Sequence, residues 1–149
     1  MSSDFNFLTM ESKHDPLRDK SFSMALRVVR LYRYLTEEKR EYAISKQIIR
    51  SGTNPGAMVR EAANAESALD FIHKLGVAQK ETGETQYWLD LLFKSDYINE
   101  TEHHSLYADT EEVMKLIRSS ILTKKKNLVL KAGGAALLLF SIFYCSQFV

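Results

Sequence analysis

The chain has few of the residues that make tight turns or covalent cross-links. Its 149 residues include two prolines, six glycines and one cysteine, and the Asn-Gly and Asp-Gly pairs that favour β-hairpins are absent. The lone Cys145 cannot form an intramolecular disulfide, which fits a reducing compartment such as the cytoplasm. These shortages argue against a β-sheet protein and against a disulfide-stapled secreted domain. No segment repeats at a fixed period, so the sequence does not indicate a solenoid.

Excess charge of one sign is also missing. Charged residues make up 26% of the chain, but the formal net charge is only +1. There is no global field to attract polyanions, so any nucleic-acid site must be a local basic patch. Residues 1–14 have no apolar run of the kind that a secretory signal needs, and they predict a flexible polar leader.

What the chain does contain is helical periodicity over residues 15–123. Asp15 and Pro16 supply an N-cap and a first-turn proline for a helix that runs to about Thr36. Its apolar residues recur at steps of three and four, which predicts an amphipathic helix with a broad buried face. The residues predicted for this face are Phe22, Ala25, Leu26, Val28, Val29, Leu31, Tyr32 and Leu35.

A second helix is predicted from about residue 37 to 65, with small residues at its centre. Gly52 and Gly56 lie one helical turn apart, which indicates a seam where another backbone comes close. Pro55 removes one helical hydrogen bond, so a kink or break is expected between Ser51 and Asn54.

The third and fourth helices show the most regular spacing. Apolar and threonine residues keep a strict heptad from about residue 67 to 94, which is typical of a left-handed bundle seam. This seam comprises Phe71, Leu75, Ala78, Thr82, Thr85, Leu89 and Leu92. Asn99 and Glu102 resemble a capping box, and Leu106, Thr110, Val113 and Ile117 follow on one face. Short connections predict an all-α, antiparallel, up-down-up-down four-helix bundle.

The C-terminal residues, 124–149, form an apolar tail with a basic flank. Lys124, Lys125 and Lys126 precede a run from Leu128 to Val149 that carries only Lys131 as a charge. This length and flank predict a helical membrane anchor with the bundle on the cytoplasmic side. The alternatives are burial of the tail within an oligomer and a non-native extension of the domain.

No catalytic, cofactor or metal motif stands out. The four histidines, at positions 14, 73, 103 and 104, include no pair spaced by four residues. Glu-x-x-His motifs on two helices, which a di-metal bundle requires, are also missing. The sequence therefore predicts a protein that is not an enzyme and has no cofactor.

Charge is distributed unevenly along the chain. Residues 26–50 contain seven basic residues, whereas residues 96–112 contain six acidic residues and no Lys or Arg. The basic set predicted to contact nucleic-acid phosphates comprises Arg27, Arg30, Arg33, Lys46 and Arg50. The alternatives are a solvated face, or a basic surface that meets the acidic fourth helix of a neighbouring subunit.

Three stretches, 47–62, 67–75 and 78–92, resemble a known bacterial family. Their densest matches are Arg50-Ser-Gly52, Glu61-Ala, Lys80-Glu-Thr, Glu84-Thr and Tyr87-Trp88-Leu. The chain resembles the four-helix-bundle proteins encoded in intervening sequences of large-subunit ribosomal RNA genes. It is similar in fold to the accessory variability protein of diversity-generating retroelements. Asn54-Pro55-Gly56 stands where the family usually has Ser-Ile-Gly.

The resemblance implies a homo-oligomer, in particular a pentamer, without enzymatic activity. For the retroelement relatives it also implies binding to nucleic acid and to a reverse transcriptase. The motif residues Arg50, Gly52, Gly56, Glu61, Glu84 and Trp88 are expected to be structural, with Arg50 paired to Glu61 or Glu84 in the interior or at a subunit seam. The leading hypothesis is thus an oligomeric RNA- or DNA-binding accessory protein, and the competing one is a membrane-tethered scaffold for a protein partner.

Overall fold

A computed structural model describes the backbone of residues 15–145 and the side chains of residues 15–133. Over this range the chain forms four α-helices and no strand: α1 (Pro16–Glu37), α2 (Ala43–Ala63), α3 (Ala68–Lys94) and α4 (Glu100–Cys145). The prediction of an all-α four-helix bundle is confirmed. Helix-forming periodicity over long segments is a strong signal, and here it placed three of the four helix starts within a residue or two.

Side chains at three helix starts satisfy the free N–H groups of the first turn. The Asp15 carboxylate accepts from the N–H groups of Leu17 and Arg18, at 3.1 and 3.3 Å, and Ser67 accepts from Asp70 at 3.0 Å. Asn99 and Glu102 exchange reciprocal hydrogen bonds of 2.9 Å, so the predicted capping box is confirmed. These caps fix where α1, α3 and α4 begin.

The second helix begins later than predicted and continues through its proline. It starts at Ala43 rather than near residue 37, because residues 38–42 form the connection from α1. Of the two expectations for residues 51–54, the break is wrong, since α2 is continuous past Pro55, and the kink stays a prediction. Pro55 is itself buried, and the helix continues past it despite the missing N–H.

The helices form a square in which each contacts only its neighbours in the sequence, plus the α1–α4 contact that closes the square. Two apolar clusters fill the centre, one around Met24, Leu75 and Val113 and the other around Leu35, Ile48 and Leu89. The heptad of α3 is buried as predicted from Leu75 to Leu92, and so are the four predicted residues of α4. Within α3, the hydroxyls of Thr82 and Thr85 donate to carbonyls one turn earlier, which allows threonine in a dry seam.

The predicted buried face of α1 is wrong in part. Val28, Leu31 and Leu35 are buried together with Leu17, Ser21 and Met24. By contrast, Phe22, Leu26 and Val29 are 48%, 45% and 39% exposed. The apolar residues of α1 extend around more of the helix than one bundle can cover, so part of the stripe faces outward.

The last helix runs without interruption from the bundle into the tail, and the side chains of residues 129–133 are exposed. Most of the tail predicted as a membrane anchor, residues 128–149, lies outside the described side chains, and residues 146–149 lie outside the described backbone. Among the described residues, no helix combines the length and apolar character needed to cross a membrane. The leader at residues 1–14 also lies outside the described residues.

Candidate nucleic-acid interface

Arg27 lies at the seam between α1 and α4. Its guanidinium forms an ion pair with the Asp109 carboxylate. The same group donates to the carbonyl and to the hydroxyl of Ser105, at 3.0 and 2.7 Å. Arg27 therefore meets the acidic fourth helix of its own chain, and its donors are used within the fold.

Arg30 lies one turn further along α1 and is exposed. It lines a groove of about 250 Å³ between α1 and α4, together with Arg27, Leu31, Tyr34, Glu102 and Leu106. No carboxylate among the described residues pairs with Arg30. Its guanidinium is free to bind an anion at the rim of this groove.

The other three predicted basic residues are exposed but do not form one compact patch. Arg33 pairs with Glu37 on its own helix at 3.5 Å, with 69% and 61% of the two side chains exposed. Lys46 is exposed on α2. Arg50 lines a shallow groove beside Glu81 of α3, so it lies on the α3 side of α2, whereas Arg30 lies on the α4 side of α1. The five residues thus spread over the outer sides of α1 and α2.

The expected pairing of Arg50 in the bundle interior is wrong, whereas its pairing at a subunit seam stays a prediction. Arg50 is exposed and makes no ion pair with any described residue. Glu61 instead bonds to Lys74 at 3.1 Å, a contact that raises the pKa of that lysine. Glu84 accepts from the indole N–H of Trp88 at 3.3 Å, one turn along the same helix. Both motif carboxylates thus have partners other than Arg50 within the bundle.

The close approach predicted for the two glycines is present, and it is tightest at Gly52. A Cβ atom built on Gly52 would lie 2.7 Å from both Cγ atoms of Val28, whereas one on Gly56 would lie 3.5 Å from the carbonyl oxygen of Ser21. The first distance is a clash and the second is ordinary van der Waals contact. Glycine is thus required at position 52, where α1 and α2 pack most closely.

Sequence reasoning missed the residue that anchors the start of α2. The Glu41 carboxylate accepts from the backbone N–H groups of Ala43, Ile44 and Ser45, at 2.8, 2.7 and 2.6 Å. Burial acts to raise the Glu41 pKa, but these donors together outweigh it and hold the pKa below its ordinary value. A glutamate is not a usual cap residue, so the sequence offered no sign of this cap other than the place of Glu41 shortly before α2.

None of the histidine, cysteine or acidic side chains within the described part of the chain form a group of three or more arranged to hold a metal ion. His103 hydrogen-bonds Asp90 at 2.8 Å and stacks on Phe93, so it joins α4 to α3. The candidate binding features of the described surface are therefore its basic side chains and its shallow grooves.

Comparisons with known proteins agree with the fold. The model of the 23S rRNA-intervening sequence protein family matches residues 16–119. A crystal structure of a protein of unknown function from the S23 ribosomal protein family of Bacteroides thetaiotaomicron is 48% identical, with a TM-score of 0.70. That match covers 70% of this chain and 94% of the other. No curated protein matches the chain, and the similarity to retroelement accessory proteins stays a prediction. The family match spans the whole bundle, from the first residue of α1 into α4, so the chain belongs to the 23S rRNA-intervening sequence protein family.

Proposed function

We propose that the chain is a non-enzymatic, homo-oligomeric accessory protein that binds RNA or DNA through the phosphate backbone. The observation that supports this most directly is that Arg30, Lys46 and Arg50 are exposed without a carboxylate partner among the described residues. Exposed, unpaired cations exchange bound water and counterions for phosphate at little cost. Arg33 adds a fourth cation, because its surface pair with Glu37 is weak.

In this proposal the basic residues hold the nucleic-acid backbone in position and do not recognise its base sequence. They stand on the outer sides of two helices and do not converge on one pocket, so they suit the spaced charges of a backbone better than the edge of one base. Arg27 contributes to the fold through Asp109, and the phosphate contacts come from the other four residues. The resemblance to pentameric family members supports the homo-oligomeric part of the proposal.

The test measures the salt dependence of binding to a fluorescein-labelled single-stranded RNA of mixed sequence, and to a DNA of the same sequence. Each lost phosphate contact lowers the slope of log affinity against log salt by about 0.7 for a single strand. The triple variant Arg30→Gln, Lys46→Gln, Arg50→Gln should therefore lower the slope by up to about 2 and weaken binding to every sequence alike.

A matched control removes three other exposed cations, with the changes Lys94→Gln, Lys125→Gln and Lys126→Gln. Both triple variants lower the net charge equally, so a difference between them reports the location of the site. If the two variants lose binding to the same extent, the assignment to α1 and α2 is wrong. If the unchanged protein binds neither RNA nor DNA, the nucleic-acid function is wrong, and a helical scaffold for a protein partner takes its place.

A further inference from the structure

The groove between α1 and α4 has an apolar floor and an aromatic ring at one end. Leu31 and Leu106, which form the floor, are buried and belong to the core of the bundle. Tyr34 is partly buried against the same core cluster, so packing holds its ring in place while part of it stays accessible. With a volume of about 250 Å³, the groove is smaller than most sites for drug-sized ligands and suits a single planar ring system. We call this feature the α1–α4 groove.

The two walls of the α1–α4 groove carry opposite charges. On the α1 wall, Arg30 is exposed and has no carboxylate partner among the described residues. On the α4 wall, the Glu102 carboxylate accepts from the backbone N–H of Asn99 at 2.9 Å, which ties it to its own helix start. No ion pair joins Arg30 to Glu102 in the described part of the chain. A ligand in the groove therefore meets a cation on one side and an acceptor on the other.

The cations at the two ends of the α1–α4 groove differ in how firmly they are held. Arg27 is bound to Asp109 and to Ser105, so this end of the groove is fixed by the fold. At the other end, the Lys39 ammonium lies 5.6 Å from the centre of the Tyr34 ring. Lys39 is exposed, so this contact is weak and its long side chain can turn from the ring to an anion. The groove is thus formed before a ligand binds, which lowers the cost of binding.

We propose that the α1–α4 groove binds one unstacked base of a single-stranded nucleic acid, with the base against the Tyr34 ring and its phosphate on Arg30. The inference rests on the proposed function and deepens it, because it names the form of the nucleic acid and one nucleotide subsite. Aromatic side chains are common stacking platforms for such bases, and every base offers a face for stacking. Glu102 can accept from an N–H group on the edge of a base but repels a phosphate, so the charges of the two walls orient the nucleotide.

A base in a duplex cannot reach this groove without leaving the helix. Paired bases are stacked inside the duplex, and one of them would have to be flipped out at a cost in free energy before it contacted Tyr34. The exposed cations Arg30 and Lys46 still meet the phosphates of either form, so salt dependence alone does not distinguish a single strand from a duplex. Tyr34 should therefore contribute to the binding of a single strand and not to that of a duplex.

Fluorescence anisotropy with the full chain tests this difference. The probes are a fluorescein-labelled single-stranded RNA and the same strand annealed to its complement. Tyr34→Ala should weaken binding of the single strand about tenfold and leave duplex binding unchanged, with no change in the salt slope because tyrosine carries no charge. Tyr34→Phe keeps the ring and should bind as the parent does. The control is Tyr87→Ala, which removes a tyrosine that is 58% exposed on α3 and should leave both affinities unchanged.

Photo-cross-linking tests the same site on the unchanged protein, which matters because Tyr34 also packs against the core. A single-stranded RNA that carries 5-iodouracil should cross-link to Tyr34 on irradiation, as detected by mass spectrometry of the digested protein. Cross-links confined to other residues overturn the proposal.

The variants separate this proposal from the proposed function. If Tyr34→Ala keeps its helicity by circular dichroism and binds the single strand as the parent does, the base subsite is wrong. An equal loss for single strand and duplex also overturns the subsite, while the phosphate contacts keep their own test. A parent that binds neither form overturns the proposed function itself.

Discussion

The Arg27 guanidinium and the Asp109 carboxylate tie the first helix to the last. Ser105 accepts from the same guanidinium with both its carbonyl and its hydroxyl oxygen, so one arginine contacts two residues that lie one turn apart on α4. About two thirds of each charged side chain is covered, since 33% and 31% remain exposed. A pair in this setting contributes more than a fully exposed one.

A double-mutant cycle should detect this coupling. We expect Arg27→Gln and Asp109→Asn each to lower the free energy of unfolding, with a coupling energy of roughly 0.5 to 1.5 kcal/mol in urea denaturation at low salt. Arg27→Gln should leave the salt slope of RNA binding unchanged. A coupling energy of zero, or a reduced slope in Arg27→Gln, would show that Arg27 serves the ligand and not the fold.

The two glycines of α2 should respond differently to alanine. Gly52→Ala places a methyl group against Val28 and should destabilise the fold by about 1 to 3 kcal/mol. Gly56→Ala meets only ordinary contacts, and the higher helix propensity of alanine should make it neutral or stabilising by up to about 1 kcal/mol. Thermal unfolding of the two single variants checks both expectations. Equal losses in the two variants would contradict the difference in packing.

The Glu41 cap should make part of the stability depend on pH. Because the folded-state pKa of Glu41 is lowered, its contribution is fully present above the unfolded value of about 4.3 and is lost as the pH falls through the folded value. Glu41→Gln should therefore be less stable than the parent at neutral pH, by about 1 to 3 kcal/mol, with the difference shrinking below about pH 4. Urea denaturation at both pH values measures it, and a constant difference would refute the cap's role.

Arg50 should matter little for stability. A buried ion pair costs about 3 to 5 kcal/mol when one partner is removed, whereas an exposed, unpaired arginine typically changes stability by less than about 0.5 kcal/mol. We expect Arg50→Gln to change the free energy of unfolding by no more than this smaller amount. Lys74→Gln, which loses the partly exposed contact to Glu61, should lower the free energy of unfolding more than Arg50→Gln does in urea denaturation.

The spacing of apolar residues predicted the helices well, because a helix in a bundle must bury one face and therefore needs apolar residues at that spacing. The heptad from Leu75 to Leu92 and the Asn99–Glu102 box are local patterns, and each is formed as expected. The ion pair of Arg27 and the exposure of Arg50 could not be predicted, because both depend on which helix stands beside α1 and α2 and at what height. The exposure of Phe22, Leu26 and Val29 was missed for the same reason, since periodicity shows that residues share a face but not what covers it.

The square arrangement has a consequence for the order in which the bundle folds. The α1–α2, α2–α3 and α3–α4 contacts join neighbours in the sequence and need only short loops to close, whereas the α1–α4 contact joins the two ends of the bundle. Local contacts form sooner because they require less loop-closure entropy. We therefore expect the α1–α4 seam to close last, so that its arginine–aspartate pair slows unfolding and has little influence on the folding rate.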